Sequence, residues 1–517
     1  MPRYLGIDSS TQSCSAIVID TDRSEVVLDL SVHYGEDLPH YDSPNGYLYP
    51  EDSVVQHSNP LMWVEGLELL FARGREAGFD WSSVAGVACS GQQHGSVYLN
   101  AGYTEATWDP AVPLVDQVRP LLSRATSPIW MDSSTTKQCE EIAEAAGGGE
   151  RVAAVTGSRP TERFTGPQIR KFFQEDPEGY QQTARIHLVS SFVAFLLAGR
   201  DAPIDYGDGA GMNLLDLAQG RWSDVMLEAT APGLGDKLPA VVPSNTRLGR
   251  IAPFFVRRYG VNESAEVVVS SGDNPNSLIG MGASHPGTAV VSLGTSDTYF
   301  AAMTRMQVDP AGYGHVFGNP AGGFMSLICF KNGSLTREEM AKRFQMSWED
   351  FSAAIRQTPP GNNGNLMLPY LFPEITPRVL KPELKLYGSG AFRSWHDSAA
   401  AVRAVVEAQA LSMRLHSQWI AERPQTLLVT GGASQNDGIL QVFADVFQAA
   451  LRRLSVTNSA ALGAALRAAN ACSGIDWDAL YAEFAAPEPG TIQPDPDTAA
   501  VYDRMLVELQ RRLAEVA

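Results

Sequence analysis

The chain has 517 residues, more than one ordinary hydrophobic core accommodates, so two or three domains are expected. Apolar residues make up 44% and charged residues 19%, a globular balance, and the net charge of -19 disfavours a nucleic-acid partner without excluding an anionic substrate. Five scattered cysteines lack metal-ligand spacing, and no signal-peptide pattern or membrane-length apolar run is present, so a cytoplasmic protein with no membrane partner is expected.

Tyr4 to Ser13 and Cys14 to Asp20 read as two strands flanking a turn of Gly, Asp and hydroxyl residues, a β-hairpin. Its tip, Thr11 included, would offer donors to phosphate oxygens, and Asp8 could hold a hydrated Mg²⁺; an ordinary polar turn accounts for the same residues. Val87 to Ser96 is a strand ending in a Gly-flanked turn, where His94 either caps a local network or meets a ligand. Trp130 to Thr135 and Asp205 to Met212 read as loops, with Asp208 assigned to loop structure rather than chemistry. Arg163 lies in a polar stretch before a helix over 168–174, as a surface ion-pair partner or as a multi-donor contact to sugar hydroxyls.

Glu266 to Val269 is a short β-branched strand, and Gly272 then allows a tight turn that projects Asp273 beyond its carboxyl end. Ligands bind at that edge of α/β sheets. Beside Asn274, Asp273 suits a base for a bound hydroxyl, or else caps the next helix. Ala289 to Ala302 repeats the first hairpin around Gly294, Thr295 and Ser296, which suggests duplicated α/β domains facing each other across a cleft. Phe330 to Ser334 precedes a helix that continues to about Phe344, Trp348 follows, and a long apolar helix covers 397–422. Leu427 to Asn436 is a strand entering small residues before a helix over 439–447. Gly432 and Ala433 would let a flat ring approach, with Asn436 bonded to it; a tight strand-to-helix connection is the alternative. A Pro-rich linker over 487–496 and an amphipathic helix over 498–516 complete the chain.

In order, Gly6-Ile7-Asp8-Ser9-Ser10-Thr11-Gln12, Gly91-Gln92-Gln93-His94-Gly95, Gly272-Asp273-Asn274, Gly294-Thr295-Ser296 and Gly431-Gly432-Ala433-Ser434-Gln435-Asn436 resemble the FGGY carbohydrate kinases, relatives of hexokinase and actin. Trp130 to Thr136, Glu162 to Gly166, Asp205 to Leu215 and Phe330 to Leu335 resemble the eukaryotic-type members acting on ketopentoses. The likeness runs from about Tyr4 to Arg467. It implies an α/β fold of two actin-like, ribonuclease H-like domains around a central cleft, with 1–280 binding sugar and 281–517 binding nucleotide. It further implies ATP and Mg²⁺, domain closure, and phosphorylation of D-xylulose by a monomer or homodimer. Another ketose such as ribulose, or a catalytically silent sugar sensor, is the alternative.

By the same resemblance Asp273 is the general base, and it lies with His94, Arg163 and Asn274 on the sugar hydroxyls. Asp8 places the metal, Thr11, Gly294, Thr295 and Ser296 lie near the phosphates, and Gly432, Ala433, Asn436 and Trp348 surround the nucleoside. One stretch departs from the family pattern: residues 448–458 carry Arg452 and Arg453 where an apolar strand is expected.

Overall fold

A computed structural model describes residues 2–48 and 54–515. The chain forms two compact units: Met1–Gly282 with Val316–Phe324 and Thr457–Ala486, and Ala283–His315 with Met325–Val456 and Pro487–Ala517. A single division at 280/281 therefore describes only the first crossing, because a short segment and a late helix return to the first unit.

In the first unit β1 (Arg3–Ser9), β2 (Ser13–Asp20) and β3 (Glu25–His33) run antiparallel, and β4 (Val84–Gly91) pairs parallel with β1. Beyond β4 lie β5 (Arg247–Arg250) and β6 (Glu266–Val268), giving the order β5-β6-β4-β1-β2-β3, while β7 (Ser271–Gly272) also pairs with β4. The central strands are near-continuous apolar runs because both their faces are covered; Leu5, Ile7, Val87 and Val267 are all buried. The flanking helices include α1 (Thr165–Glu175), α2 (Val189–Ala198), the one-turn α3 (Tyr206–Gly209) and α4 (Asp273–Gly280). Every residue of α2 is buried, as its unbroken apolar sequence requires.

Five strands of the second unit's sheet repeat the order of the first, with no counterpart of β5 among them. β8 (Thr288–Leu293), β9 (Asp297–Met303), β10 (Phe324–Phe330), β11 (Thr426–Thr430) and β12 (Ala450–Arg453) stand in the order β10-β9-β8-β11-β12, the counterpart of β3-β2-β1-β4-β6. Its helices include α5 (Ser334–Arg343), α6 (Trp348–Gln357), α7 (Ser398–His416) and α8 (Asp437–Phe447). The long apolar helix therefore begins on its Asp397 cap as expected but stops at His416, short of 422. The returning helix of the first unit is α9 (Ser459–Ser473). It lies against α4 so closely that a Cβ on Gly463 would stand 1.8 Å from the Asn276 carbonyl oxygen. The C-terminal helix α10 spans Ala499–Ala514; Val516, where the sequence places its end, lies outside the described residues.

Residues 448–458 do contain a strand. β12 is an edge strand that buries Leu451 and leaves Arg452 and Arg453 half-buried. Arg453 donates to the Ser434 carbonyl at 2.8 Å and pairs with Asp437. The segment read as a linker is pinned to this edge: Leu451 and Ile492 exchange backbone bonds at 2.9 Å, and the Glu488 amide donates to the Arg453 carbonyl. It covers the open hydrogen-bonding groups that an edge strand otherwise presents. All five cysteines are free thiols, and among the described residues no helix is long and apolar enough to cross a membrane.

The second hairpin is braced from below by a buried ion pair. Arg337 of α5, wholly buried, grips both oxygens of Asp297 at 2.8 and 2.9 Å and donates to Gln409 of α7 and the Ser334 hydroxyl. Removing one partner strands a buried charge, so Arg337→Met should destabilise the second unit by about 3–5 kcal/mol in denaturant unfolding, and adding Asp297→Leu should restore most of the loss. A single-variant cost below about 1 kcal/mol, the level of an exposed pair, would show that the pair does not hold the hairpin.

Candidate active site

The sheet register of the first unit sets where its carboxylates stand. Ser9 is opposite Gly91, and Gly91 is opposite Gly272, so the carboxyl ends of β1, β4 and β7 form one row. Asp8 lies one residue before that row and Asp273 one residue after it. Two strand spacings of about 4.8 Å separate their backbones. Gly272 is required by close approach: a Cβ there would lie 2.4 Å from Gln93 Cγ and 2.8 Å from Asp208 Oδ1.

Asp273 opens α4 without capping it, since the cap position is Gly272 and no side chain serves there. The structure thus separates the two roles open to this residue in the sequence. Its Oδ1 accepts from both the backbone N–H and the side-chain amide of Asn274, at 2.8 and 3.0 Å. The same amide donates to Gln93 Oε1 at 2.8 Å. Among the described residues no side chain donates to Oδ2, and the backbone N–H groups of Gln93 and Asp273 also favour the charge. Burial, and then the charge of Asp8, push the Asp273 carboxyl up to about 7. Asp8 is pushed up to about 6, chiefly by burial, and its Oδ1 is buried without a hydrogen-bond partner. An uncommitted, desolvated carboxylate oxygen fits a Mg²⁺ ion that keeps waters and phosphate oxygens as its other ligands.

His94 sits at φ 70°, a left-handed conformation that histidine tolerates better than most residues. Its ring stacks on Phe164 with centroids 4.3 Å apart, and Phe317 of the returning segment stands 6.4 Å away. Nδ1 lies 2.8 Å from the Gly211 carbonyl oxygen, which can only accept, so Nδ1 carries the hydrogen. Burial first, and Arg163 second, press the imidazole down to about 3, so the ring is neutral and Nε2 is a lone-pair acceptor. His94 can therefore only accept a hydrogen bond at Nε2. Arg163 lies over the other reach of the Phe164 ring, 5.6 Å from its centroid, so one aromatic side chain carries both sugar-facing candidates.

The first hairpin tip is less open than its sequence suggests. The Thr11 hydroxyl donates to Gln92 Oε1 at 3.3 Å and accepts from the Trp130 indole at 2.8 Å, so its side chain is already engaged. In the second unit the turn over Gly294, Thr295 and Ser296 joins β8 to β9, with Thr295 exposed. Ser334 donates its backbone N–H to the Gly294 carbonyl at 2.8 Å. Ser292 pairs with Thr430 across the sheet, so the turn after β11 runs beside this tip. That turn opens on a cavity of about 590 Å³ whose lining includes Trp348, Gly432, Ala433 and Asn436, all four residues assigned to a nucleoside. The Asn436 carbonyl caps α8 through the Ile439 N–H at 3.1 Å, which leaves its amide hydrogens for a ligand. Arg356 also lines the cavity and donates to Ser352 at 2.6 Å.

Sequence reasoning did not single out Gln93, Phe164, Phe317 or Arg337. Gln93 and Phe164 adjoin residues that were chosen, so their position was a usable signal. Phe317 and Arg337 gave none, because each reaches its place through a tertiary contact.

Models of the FGGY family of carbohydrate kinases match residues 3–280 with their N-terminal domain and 289–472 with their C-terminal domain. A xylulose kinase of Rattus norvegicus is 41% identical over 533 residues, covering 99% of this chain and 97% of that protein. Xylulose kinase 2 of Arabidopsis thaliana is 43% identical over 491 residues, covering 90% of this chain and 87% of its own. The crystal structure of xylulose kinase from Rhodospirillum rubrum superposes with a TM-score of 0.84 at 21% identity and covers 99% of each chain, which establishes the shared fold. With both domains matched in order and relatives this similar along nearly its whole length, the chain is a member of the FGGY family of carbohydrate kinases.

Proposed function

We propose that this kinase transfers the γ-phosphoryl group of ATP to the terminal hydroxyl of D-xylulose, giving D-xylulose 5-phosphate and ADP. The observation that carries the reading is the Asp273 carboxylate, raised to about 7 by burial and held through one oxygen by Asn274, with no side chain among the described residues donating to the other. Its likeness to xylulose kinases over nearly the whole chain supports the choice of sugar.

Asp273 Oδ2 takes the proton of the attacking hydroxyl as that oxygen forms its bond to the γ-phosphorus, and the bond to the bridging oxygen of ADP breaks in line. His94 Nε2 accepts from a sugar hydroxyl, and Arg163 and Asn274 donate to others. Gly432 and Ala433 pass under the nucleoside, with Trp348 and the Asn436 amide beside it. Backbone groups of the Gly294-Thr295-Ser296 turn bind phosphate oxygens, as do those at the Thr11 tip. Asp8 Oδ1 would hold Mg²⁺, directly or through water, and the ion would neutralise charge on the transferring group.

A base must be ionised to accept a proton, and the ionised fraction of Asp273 rises as pH increases through about 7. The sugar kcat/KM should therefore fall about tenfold per pH unit on the acid side of that value, while a flat profile between pH 5 and 8, values set about the ordinary and raised pKa, would remove Asp273 from the role. Asp273→Asn should lower kcat by roughly 10²–10⁴-fold with sugar binding weakened less. Retention of about a tenth of the activity would contradict general-base catalysis. Coupled ADP release across a ketose panel should give D-xylulose the highest kcat/KM. Preference for D-ribulose would overturn the sugar but leave the kinase, and ADP release independent of sugar would favour a sensor.

A further inference from the structure

Asp208 lies directly beneath the base and has no part in the chemistry just described. It is buried in α3, and its backbone N–H is bonded to the Asp205 carboxylate at 2.8 Å. The Ser190 hydroxyl at the start of α2 lies 2.5 Å from Asp208 Oδ2. Oδ1 is turned the other way, toward the space a Gly272 side chain would fill, and Gln93 is pressed into the same space from the opposite side. Both Asp208 Oδ1 and Gln93 Nε2 are buried without a hydrogen bond. The Gln93 amide nevertheless stands near enough to favour the Asp208 charge. At its other end Gln93 Oε1 accepts from Asn274, whose amide holds Asp273.

We propose that Asp208 is a positioning residue, a carboxyl group kept protonated that fixes the Gln93 amide and, through Asn274, the orientation of the Asp273 carboxylate. The order of contacts, Ser190, Asp208, Gln93, Asn274, Asp273, has one direction. Asn274 donates to Gln93 Oε1, so the Gln93 N–H₂ must point at Asp208, and Oδ1 must accept. An ionised Asp208 accepts from the Ser190 hydroxyl at Oδ2, and the protonated form reverses that bond and donates to it. Of the charged and titratable neighbours, Arg467 of α9, 3.9 Å from Asp205 and bonded to the carbonyls of Ser244 and Val269, also lies within electrostatic reach of Asp208 and favours its charge, whereas Asp205 and Asp273 oppose ionisation. Burial acts in the same sense and raises the Asp208 carboxyl well above its ordinary range. A group that only filled loop space would need neither this direction nor a glycine at 272.

The inference rests on Asp273 being the base, and the test separates the two. Asparagine at 208 keeps both directions, since its carbonyl can accept from Gln93 and its N–H₂ can donate to Ser190; alanine keeps neither. Asp208→Ala should lower kcat about 10–100-fold with the ATP KM moved less than about twofold, and Asp208→Asn should recover most of that loss. The acid limb of the pH profile should stay within about 0.3 unit of its original position in Asp208→Asn, because no charge has been removed. Gln93→Met should copy the kcat loss, and combined with Asp208→Ala should lose little more than the worse single variant. If Asp208→Ala does not fold, the Asp208→Asn profile and Gln93→Met still decide. A limb displaced by a unit or more in Asp208→Asn, or additive losses at 93 and 208, would overturn the proposal. Asp273→Asn measured alongside tells the readings apart: if it is active the base assignment fails, and if it is inactive while both Asp208→Ala and Gln93→Met are unimpaired only the positioning role fails.

Discussion

Taking a carboxylate out of water is the constraint on which the first unit turns. A desolvated carboxyl resists ionisation, so a group raised to about 7 can accept a proton where an exposed aspartate is too weak a base. Withdrawal from water also demands that each oxygen be accounted for. Asn274 occupies one oxygen of Asp273, and the sheet row of Ser9, Gly91 and Gly272 supplies a floor of small residues for the groups that meet there. The helices behind the row are held as tightly. Buried Arg467 of α9 donates to the Val269 carbonyl, just ahead of the turn, and to Asn276 of α4, so the base stands on a polar framework that is itself enclosed.

The two sheets share one strand order yet use their carboxyl edges differently. In the first unit that edge carries Asp8 and Asp273, groups that must be oriented and partly desolvated. In the second it carries glycine, alanine and hydroxyl residues beside a cavity large enough for a nucleoside, where what matters is access to the backbone. Asp297 opens the second strand of its hairpin, at the position Cys14 and not Asp8 holds in the first, and Arg337 grips both its oxygens. The carboxylate of the second hairpin is thus a structural anchor, while Asp8 in the first keeps an oxygen without a hydrogen bond.

Much of this was legible before any coordinates. The alternation of short β-branched runs with Gly-centred turns located both hairpins and the turns at Gly272 and Gly431, because those signals are local. Asp273, Asn274, Gly432, Ala433 and Asn436 were named by position, and Trp348 was found where the cavity needed a wall. What stayed hidden depends on tertiary placement. Nothing local to His94 says that its Nδ1 is held by the Gly211 carbonyl, which leaves Nε2 as an acceptor. Nothing in a Gly-rich loop says that Asp208 lies under Gly272, and Phe317 reaches His94 only through a segment that returns late in the chain. The strand at Ala450–Arg453 was obscured by arginines that an edge position can hold at its margin.

The chain passes from one unit to the other after residues 282, 315, 324, 456 and 486, so neither unit is a contiguous piece of sequence. The consequence falls on biosynthesis. When the ribosome has made the last strand of the first sheet, that sheet still lacks α9, the helix that covers its central strands and closes on α4. At synthesis rates of about 5–20 residues per second, the remaining stretch to residue 486 takes on the order of 10–40 seconds. For that interval the backs of β1 and β4 are apolar surface without their native cover, and the base turn lacks the Arg467 clamp. The nascent chain is thus most dependent on holding factors, and most open to aggregation, while more than half of it is already outside the ribosome.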